Sequence, residues 1–352
     1  MSIPNDAVRR RRGSDQVTLQ QVAAAAGVSA ITVSRALNTP DRVNDTTRAR
    51  ILATIERLGY VPNLVAGSLA SARSPFIAVI VPSLANAVFI EVLGGLQETF
   101  EAQGHQILLG NTDYDLQREY QLVKTFLGWS CSALVTAGLR HNTACHGLLK
   151  NSDRPVMEIM ELGDALDLNV GLDHRAAGRC MARHLLERGY RNIVYGGACL
   201  AKDYRAQMRF EGHREVMRQT SLAMPLVELE RMSSLDAGAA ALTEVIERYP
   251  KADAIHFAND DLATGALLHA QRLGLKVPED IAIAGFNGLP LGQHVTPRLT
   301  TIQSPRKEMG RLAAQQVLER LERLERLDRL PGASRSPCQH DVGFTLLIGE
   351  ST

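Results

Sequence analysis

The sequence predicts a small all-α head of the helix-turn-helix type, followed by a larger α/β body made of two lobes. Two patterns lead to this prediction. Short helical segments separated by glycine turns fill residues 17–59, and from Pro75 onward short apolar strands alternate with helical stretches. The length of 352 residues agrees with several domains, because one hydrophobic core rarely serves more than about 250–300 residues.

The first head helix is predicted from its start and stop signals. Thr18 followed by Gln21 matches a capping box, and the alanines of residues 23–26 favour a helix strongly. Gly27 then ends the helix, because glycine adopts the left-handed conformation that terminates helices at little cost.

Two further helices complete the head. Ser29 is expected to cap a helix from Ala30 to about Asn38, and Asn44 to cap one over residues 45–58. Two helices joined by a short glycine turn, the second rich in small polar side chains, are typical of a helix-turn-helix. Its second helix enters the major groove of DNA. A generic three-helix bundle is the alternative that this pattern alone leaves open.

The net charge of +1 conceals an uneven distribution. Residues 1–73 hold ten arginines, no lysine and five acidic residues, a local charge of +5, so the other 279 residues carry −4. A basic head on a slightly acidic body indicates a polyanionic partner at one end of the chain. Residues 1–16 contain an arginine run and are predicted to be a disordered basic extension.

The body shows eleven candidate strands, which alternate with helical stretches. This alternation predicts parallel strands, and eleven are too many for one compact open sheet, so two α/β lobes are expected. In such folds ligands bind at the carboxyl ends of the strands. The predicted strands are residues 76–82, 105–111, 133–138, 155–160, 169–173, 192–198, 226–230, 253–259, 281–286, 299–303 and 343–349.

Several other classes of protein are disfavoured. No apolar segment follows the arginine run and no stretch approaches the ~18 apolar residues of a membrane span, so a cytoplasmic protein is expected. The five cysteines form no CxxC pair and are expected to be reduced thiols. Common catalytic motifs are absent, which predicts no enzyme, no cofactor and no metal. His141 and His146 are expected at the surface, although a place in a ligand cleft stays open.

The motifs VTLQQVAAAAGVSAITVSRALN and LGYVPNLVAGSLAS lie within residues 17–73, which resemble the DNA-binding head of the LacI/GalR (lac repressor) family without a gap. The resemblance implies a DNA-binding domain over 17–62 and base reading by Ala30, Ile31 and Arg35. An arginine can pair bidentately with guanine. The implied contacts to the DNA backbone are Thr18, Ser29, Thr32, Ser34, Asn38, Asn44, Thr47, Tyr60 and Asn63.

Residues 63–73 match the hinge helix of that family. The segment is too short to hold a helix alone in water and Gly67 weakens it, so it is expected to fold only on DNA. Leu69 matches the family residue that wedges into the minor groove, with Ala66 packed beside it. A flexible linker with a buried leucine is the alternative.

The body resembles the type I periplasmic-binding-protein-like core of the same family, over most of residues 75–350. In that fold the chain crosses between the lobes three times, here near residues 173–175, 302–305 and 330–333. Within the core domain, residues 74–352, the resemblance therefore implies one lobe of residues 74–173 and 305–331 and a second of residues 175–302 and 332–352.

Polar residues at the predicted strand ends are the candidates for an effector site. By residue chemistry alone, each is more often a helix cap than a ligand contact. The resemblance implies a role in the cleft for Asp173, Arg209, Asn259 and Asn287, with Phe89 as an aromatic wall; Asn86 joins them from its strand end. Weaker candidates are Ser83, Lys202, Arg205 and Asp260.

The cleft residues favour an anionic ligand. Members of the family that bind neutral sugars or purines usually have aspartate where this chain has Asn287, so a fixed negative charge is missing beside Arg209. A guanidinium suits a carboxylate, and the remaining polar groups suit hydroxyls. Together with overall similarity to gluconate and 2-ketogluconate repressors, this predicts a repressor that a sugar acid releases from DNA: gluconate, 2-ketogluconate or a phosphorylated relative. A regulator of the same family that responds to another sugar or a nucleoside, or a sugar-binding receptor without a DNA role, is the alternative.

The segment from Leu318 to Leu330 reads LERLERLERLDRL and repeats every three residues. Leucines spaced this way drift around a helix and form no heptad seam, so a lobe helix is favoured over a leucine zipper. We therefore expect a homodimer rather than a zipper-linked tetramer, bound to double-stranded operator DNA.

Overall fold

The computed structural model describes residues 17–61, 74–327 and 338–352. The chain divides into two compact units, a head up to Ser74 and a body from Pro75 onward. The predicted extension 1–16 and the hinge, with Asn63, Ala66 and Leu69, lie outside the described residues. Among the described residues, no helix is both long and apolar enough to cross a membrane.

The head forms the three predicted helices: α1 (Leu19–Ala26), α2 (Ala30–Asn38) and α3 (Asp45–Leu58). Thr18 and Gln21 form the complete capping box, and Gly27 ends α1 in the left-handed conformation with φ +63°. A 3₁₀ turn over Pro40–Arg42, which the sequence analysis did not predict, links α2 to α3.

The inner faces of the head helices form a small apolar core. Val22 of α1, Val33 of α2 and Ile51 of α3 are fully buried, and Ala26 and Ala36 close the gaps between them. This core fixes which face of α2 is left outside.

The body contains two six-stranded sheets, and all eleven predicted strands are present. The first sheet consists of β1 (Phe76–Val81), β2 (Gln106–Asn111), β3 (Ala133–Ala137), β4 (Val156–Glu161), β5 (Leu168–Leu172) and β11 (Cys338–Asp341). The second consists of β6 (Ile193–Ala198), β7 (Leu226–Leu229), β8 (Ala254–Phe257), β9 (Ala282–Asn287), β10 (Thr300–Gln303) and β12 (Thr345–Leu347).

The strand orders are β11-β5-β4-β3-β1-β2 and β12-β10-β9-β8-β6-β7. All strand pairs are parallel except β10 with β12. The connecting helices are α4 (Ala87–Glu101), α5 (Leu116–Gly128), α6 (Thr143–Lys150), α7 (His174–Glu187), α8 (Tyr204–Gln219), α9 (Leu235–Arg248), α10 (Asp260–Leu273), α11 (Pro290–His294) and α12 (Arg306–Leu327). This is the expected pair of parallel α/β lobes, since helices cover the faces of each sheet.

The third chain crossing differs from the prediction. Residues 332–352 were assigned to the second lobe, but β11 pairs with β5 at the edge of the first sheet. The chain therefore crosses between Asp341 and Thr345, where β12 joins the second sheet, and not at 330–333. The sequence CQHD of β11 is polar and exposed on both faces, so it carries none of the apolar patterning that identifies strands.

The described part of the period-3 repeat belongs to α12. This helix runs to Leu327 and packs against α4, and its Leu318 and Leu321 contact the core of the first lobe. Residues 328–330 of the repeat lie outside the described residues. The packing of both leucines accords with the interpretation as a lobe helix.

Three helix pairs approach so closely that glycine is required at each contact. A Cβ atom on any of these glycines would collide with a backbone carbonyl of the facing helix. The pairs are α4 with α12 through Gly95 and Gly310, α7 with α8 through Gly178 and Gly212, and α9 with α10 through Gly238 and Gly265.

The close contact of α4 with α12 yields a test with adjacent residues. We expect Gly95→Ala to lower the melting temperature, because overpacking against the carbonyl of Lys307 costs about 1–3 kcal/mol. Gly94→Ala is the matched control: a Cβ there meets no atom within 4 Å, and alanine favours helix over glycine by roughly 1 kcal/mol. Thermal unfolding by circular dichroism measures both, and a Gly95→Ala variant at least as stable as Gly94→Ala would contradict the packing.

Candidate functional site

Helix α2 presents a short exposed face on the head. Ile31 is 64% exposed, an unusual position for a large apolar side chain, and Arg35 is exposed one turn later. Ala30 is half-buried and packs against the head core. The structure thus places the two larger side chains of the predicted base-reading set together on one exposed face of the helix, and base reading stays a prediction.

Several of the residues predicted to contact the DNA backbone lie at helix starts. Thr18, Ser29 and Asn44 are the N-caps of α1, α2 and α3, and Thr32 bonds Ser29 through its hydroxyl at 2.8 Å. Helix N-termini attract phosphate because their free N–H groups and dipole favour negative charge. Ser34 and Thr47 are half-buried and Tyr60 packs on the head core, while the side chain of Asn38 is not described.

In the body, a cleft lies where carboxyl ends of strands from both sheets meet. The empty volume of this cleft, including the part open to solvent, is about 430 Å³. Of the predicted effector residues, Asn86, Phe89, Arg209, Asn259 and Asn287 line it, and so does Arg205 from the weaker set. Tyr114, Met160, His174, Asp203, Phe286 and Ser304 also line it, and none of these was predicted.

Arg209 is the charged centre of the cleft. Its side chain is buried, yet no carboxylate of the described chain forms an ion pair with it. Nε and Nη2 donate to the carbonyl oxygen of Ala258 at 3.1 and 2.8 Å, and the guanidinium lies 4.0 Å from the ring centroid of Phe286. Burial lowers the pKa of Arg209, which means that the fold holds this cation at a cost.

His174 completes the surroundings of Arg209. Its Nε2 faces the carbonyl of Met160 at 3.2 Å, so it donates there, and Nδ1 accepts from Nη1 of Arg209 at 2.9 Å. Burial and the neighbouring arginines hold the pKa of His174 well below its usual value, which keeps it neutral. Three of the five N–H groups of Arg209 thus donate to neutral acceptors.

Asp173 is not brought to the cleft wall. Its carboxylate caps α7 by accepting from the Ala176 N–H at 2.9 Å, and it pairs with Arg179 at 3.3 Å. The next residue, His174, occupies the cleft instead, because consecutive residues at a helix start point in different directions. The general rule that polar residues after strands are caps applies here.

Two predicted asparagines are held rigidly. Asn259 caps α10 and donates to Ser233 at 2.7 Å, which leaves its amide edge in the cleft wall. Asn287 ends β9 with φ +127°, a conformation that costs a non-glycine residue energy, and its carbonyl accepts from Arg306. Such strain at a cleft residue is typical of functional sites.

Across the cleft, Asn86 caps α4 at the Val88 N–H, and Tyr114 lines the same wall. Tyr114 lies three residues after the end of β2, so the strand-end rule had the information to include it. Phe89 is 2% exposed and packs beneath the guanidinium of Arg205, whose carbon lies 5.9 Å from the ring centroid.

The weaker candidates have different environments. Ser83 accepts from the Ala85 N–H in a turn, and Lys202 is exposed on the wall of a neighbouring cavity. Asp260 is buried behind the cleft, where it accepts from Thr301 and from the Leu289 N–H at 2.6 and 2.7 Å. Burial raises the pKa of Asp260 to about 6, and its bonds tie β9 and β10 to α10, which is a structural role.

Three residues form an interlobe latch: Glu161 on β4 of the first lobe, and Tyr204 and Arg205 on α8 of the second. Arg205 pairs with Glu161 at 3.2 Å with both side chains buried, and the Tyr204 hydroxyl donates to the same carboxylate. The Leu139 N–H also donates to the Glu161 carboxylate, at 2.7 Å. Burial opposes the charge of Arg205, but Glu161 raises its pKa. Arg205 thus belongs to the cleft and the latch together.

His141 is buried rather than at the surface, so that expectation was wrong, whereas His146 is exposed as expected. The two ring nitrogens of His141 face Glu119 and Glu158, each at 3.0 Å. Although burial opposes the charge, Cys145 and the two glutamates raise the pKa of His141 to about 11. Glu119, His141 and Cys145 have the proximity of a metal site, but a doubly protonated ring offers no lone pair to a metal.

A second pair of histidines lies in the core of the second lobe. His213 on α8 and His256 on β8 are buried, with their Nδ1 atoms 2.6 Å apart beside the ring of Tyr195. Burial lowers the pKa of His213 to about 3 and that of His256 well below its usual value. Both rings are therefore neutral, one donating and one accepting the shared hydrogen bond.

Comparison with known proteins agrees with this arrangement. Residues 18–63 match the model of bacterial regulatory proteins of the lacI family, and residues 182–352 match a periplasmic binding protein-like domain. The chain is 37% identical to the HTH-type transcriptional regulator GntR of Escherichia coli K12 over 334 residues, covering 95% of this chain and 98% of that protein.

Two further relatives are similar over their whole length. The GntR regulator of Pseudomonas aeruginosa is 38% identical over 347 residues, covering 98% of each chain. The crystal structure of a LacI family transcriptional regulator from Silicibacter pomeroyi superposes with a TM-score of 0.86 at 38% identity, covering 95% of this chain and 99% of that one.

The latch predicts an asymmetric mutational response. Glu161→Gln leaves the buried cation of Arg205 without its counter-ion, so we expect a loss of about 3–5 kcal/mol in the free energy of unfolding. The double variant Glu161→Gln/Arg205→Met removes both charges and is expected to lose less. Urea unfolding of both variants measures this, and a double variant less stable than the single one would show that the pair is not coupled.

The buried histidines predict how stability depends on pH. His213 and His256 stay neutral in the folded chain but protonate near pH 6.5 when it unfolds, so stability is lost as pH falls below 6.5. Each contributes roughly 1.4 kcal/mol per pH unit. His141 acts oppositely: its stabilisation is fully present below pH 6.5 and declines as pH rises toward 11.

The melting temperature is therefore expected to fall between pH 6.5 and pH 5. In the variant His213→Leu/His256→Phe, which removes both titrating rings, the fall should be shallower. Scanning calorimetry across that range decides the matter: a melting temperature that is flat or rises toward pH 5 would mean that the buried pair is protonated in the folded chain.

Proposed function

Because this chain belongs to the LacI family of DNA-binding transcriptional regulators, we propose that it represses genes of sugar-acid catabolism and leaves its operator when a sugar acid binds in the cleft. Its relatives are transcriptional regulators and not enzymes, in agreement with the prediction from sequence. A protein that reads chromosomal DNA acts in the cytoplasm, so that location forms part of the proposal.

One observation carries the choice of effector: Arg209 is a buried cation with no carboxylate partner among the described residues. A buried unpaired charge is costly, and a bound anion removes that cost. A guanidinium pairs well with a carboxylate, and Asn287 adds no negative charge beside it. Asp203, Asn259 and Ser304 supply acceptors and donors for hydroxyls. Gluconate, 2-ketogluconate or a phosphorylated relative has this combination.

On the DNA side, the exposed Ile31 and Arg35 of α2 support major-groove reading. A homodimer would present two heads to a palindromic operator. The hinge would fold against the minor groove, with Leu69 and Ala66 at the wedge. Effector binding in the cleft would shift the lobes and prevent the paired hinges from folding, and linkage requires the operator to weaken effector binding by the same factor.

The test separates the two sites by matched variants. The purified chain selects its operator from random DNA, and a gel-shift assay then follows release by gluconate, 2-ketogluconate and 6-phosphogluconate. Arg35→Ala is expected to weaken operator binding by about 1–3 kcal/mol and to leave effector binding unchanged, with exposed Arg57→Ala as the control.

Arg209→Met is expected to do the opposite, keeping operator binding while abolishing release. If all three acids leave the operator complex intact, or if only a neutral sugar binds, the sugar-acid proposal is wrong.

A further inference from the structure

A second cavity of the described body lies beside the cleft. This side chamber, lined by Ile80, Thr112, Leu116, Arg140, Ala201 and Lys202 among others, has a space of about 670 Å³, against about 430 Å³ for the cleft. Tyr114 and Arg205 line both cavities, so the two share a wall.

Two cations from opposite lobes line the side chamber. Arg140 follows β3 in the first lobe, and Lys202 follows β6 in the second, and both are exposed. Within the described ranges neither forms an ion pair with a carboxylate. The guanidinium of Arg140 lies 4.9 Å from the ring centroid of Tyr204, which orients it without neutralising it.

The negative charges near the chamber are outnumbered by positive ones. Glu119 is the carboxylate in its wall, and it shares the protonated ring of His141 with Glu158, each at 3.0 Å. The Arg205 cation is matched by Glu161 in the latch. Arg140 and Lys202 therefore give the chamber an excess of positive charge.

The rest of the wall suits the end of a small polar ligand. Ile80, Leu116 and Ala201 supply apolar carbon, and Thr112 supplies a hydroxyl. Tyr114 lines both cavities and so places one polar side chain at the boundary between them. A phosphate group is recognised by an arginine fork together with a lysine point charge, which is the pair present here.

We propose that the side chamber binds the phosphate of a phosphorylated sugar acid whose carboxylate lies at Arg209 in the cleft. This inference rests on the proposed function and narrows its effector to a molecule with two anionic ends. Arg140 and Lys202 act on the phosphate alone. Because they come from different lobes, the same phosphate also joins the lobes across the latch.

Calorimetry on the full chain tests the proposal with three probes: gluconate, 6-phosphogluconate and inorganic phosphate. We expect 6-phosphogluconate to bind at least about tenfold more tightly than gluconate, since charge-assisted hydrogen bonds to phosphate add to those at Arg209. The variant Arg140→Met/Lys202→Met is expected to lose that advantage while its affinity for gluconate stays within about twofold.

The matched control is Arg218→Met/Lys251→Met, which removes two exposed cations that line neither cavity. It should bind both acids as the unmodified chain does, and melting temperatures confirm that all variants fold. Equal affinities for gluconate and 6-phosphogluconate would overturn the inference but keep the proposed function.

Equal loss of both acids in Arg140→Met/Lys202→Met would also overturn it, because the two cations would then not act on phosphate alone. Inorganic phosphate that binds as tightly as 6-phosphogluconate would show an independent anion site and not a shared ligand. If neither acid binds the folded chain, the sugar-acid function fails and the inference fails with it.

Discussion

The body is organised around the burial of one positive charge. Arg209 has given up water for the carbonyl of Ala258, the face of Phe286 and the neutral ring of His174. None of these carries a negative charge, and the carboxylate of Asp203, which also lines the cleft, favours the charged guanidinium without forming an ion pair with it. The surrounding residues hold the arginine in one orientation. Burial of its charge is unfavourable, and an anion bound in the cleft would remove that free-energy penalty.

The latch explains how such a local event reaches the whole body. Arg205 stands one helical turn before Arg209 on α8 and is bound to Glu161 of the opposite lobe. A ligand bound at Arg209, as proposed, would therefore act on the same helix that carries the second-lobe half of the latch. Since the pair is buried, the lobes have one favourable way to meet there, and any change in their angle must break or remake this contact.

The sequence predicted the architecture well because apolar runs and cap residues act locally. The helices of the head begin and end where Thr18 and Gly27 indicate, and the buried strands are visible as runs of Val, Ile and Ala. The strand β11 escaped because its residues are polar and exposed, and it is held only by its partner β5. A pairing between residues so far apart in the chain leaves no local pattern.

The site was predicted less completely, for the same reason. Strand-end polarity and family resemblance predicted Arg209 and Asn287, which line the cleft. They also predicted Asp173, whereas the neighbouring residue His174 lines the cleft and Asp173 caps a helix. The partner of Arg205, Glu161, lies 44 positions away at the end of β4, so only the folded chain shows the ion pair. Which of two neighbouring side chains faces a cleft depends on the rotation of the helix that follows.

The reciprocal glycines have a consequence for how this chain can vary. In each helix pair, for example at Gly178 and Gly212, the obstacle to a side chain is the partner's backbone and not the partner's glycine. A change at one position therefore cannot be rescued by a change at the other, as it can where two side chains share a volume. Gly178 faces the carbonyl of Arg209 itself. Any change in the spacing of α7 and α8 would therefore also move the cleft arginine. The ligand site can diversify through its side chains, but the distance between the helices that carry it has no route of gradual change.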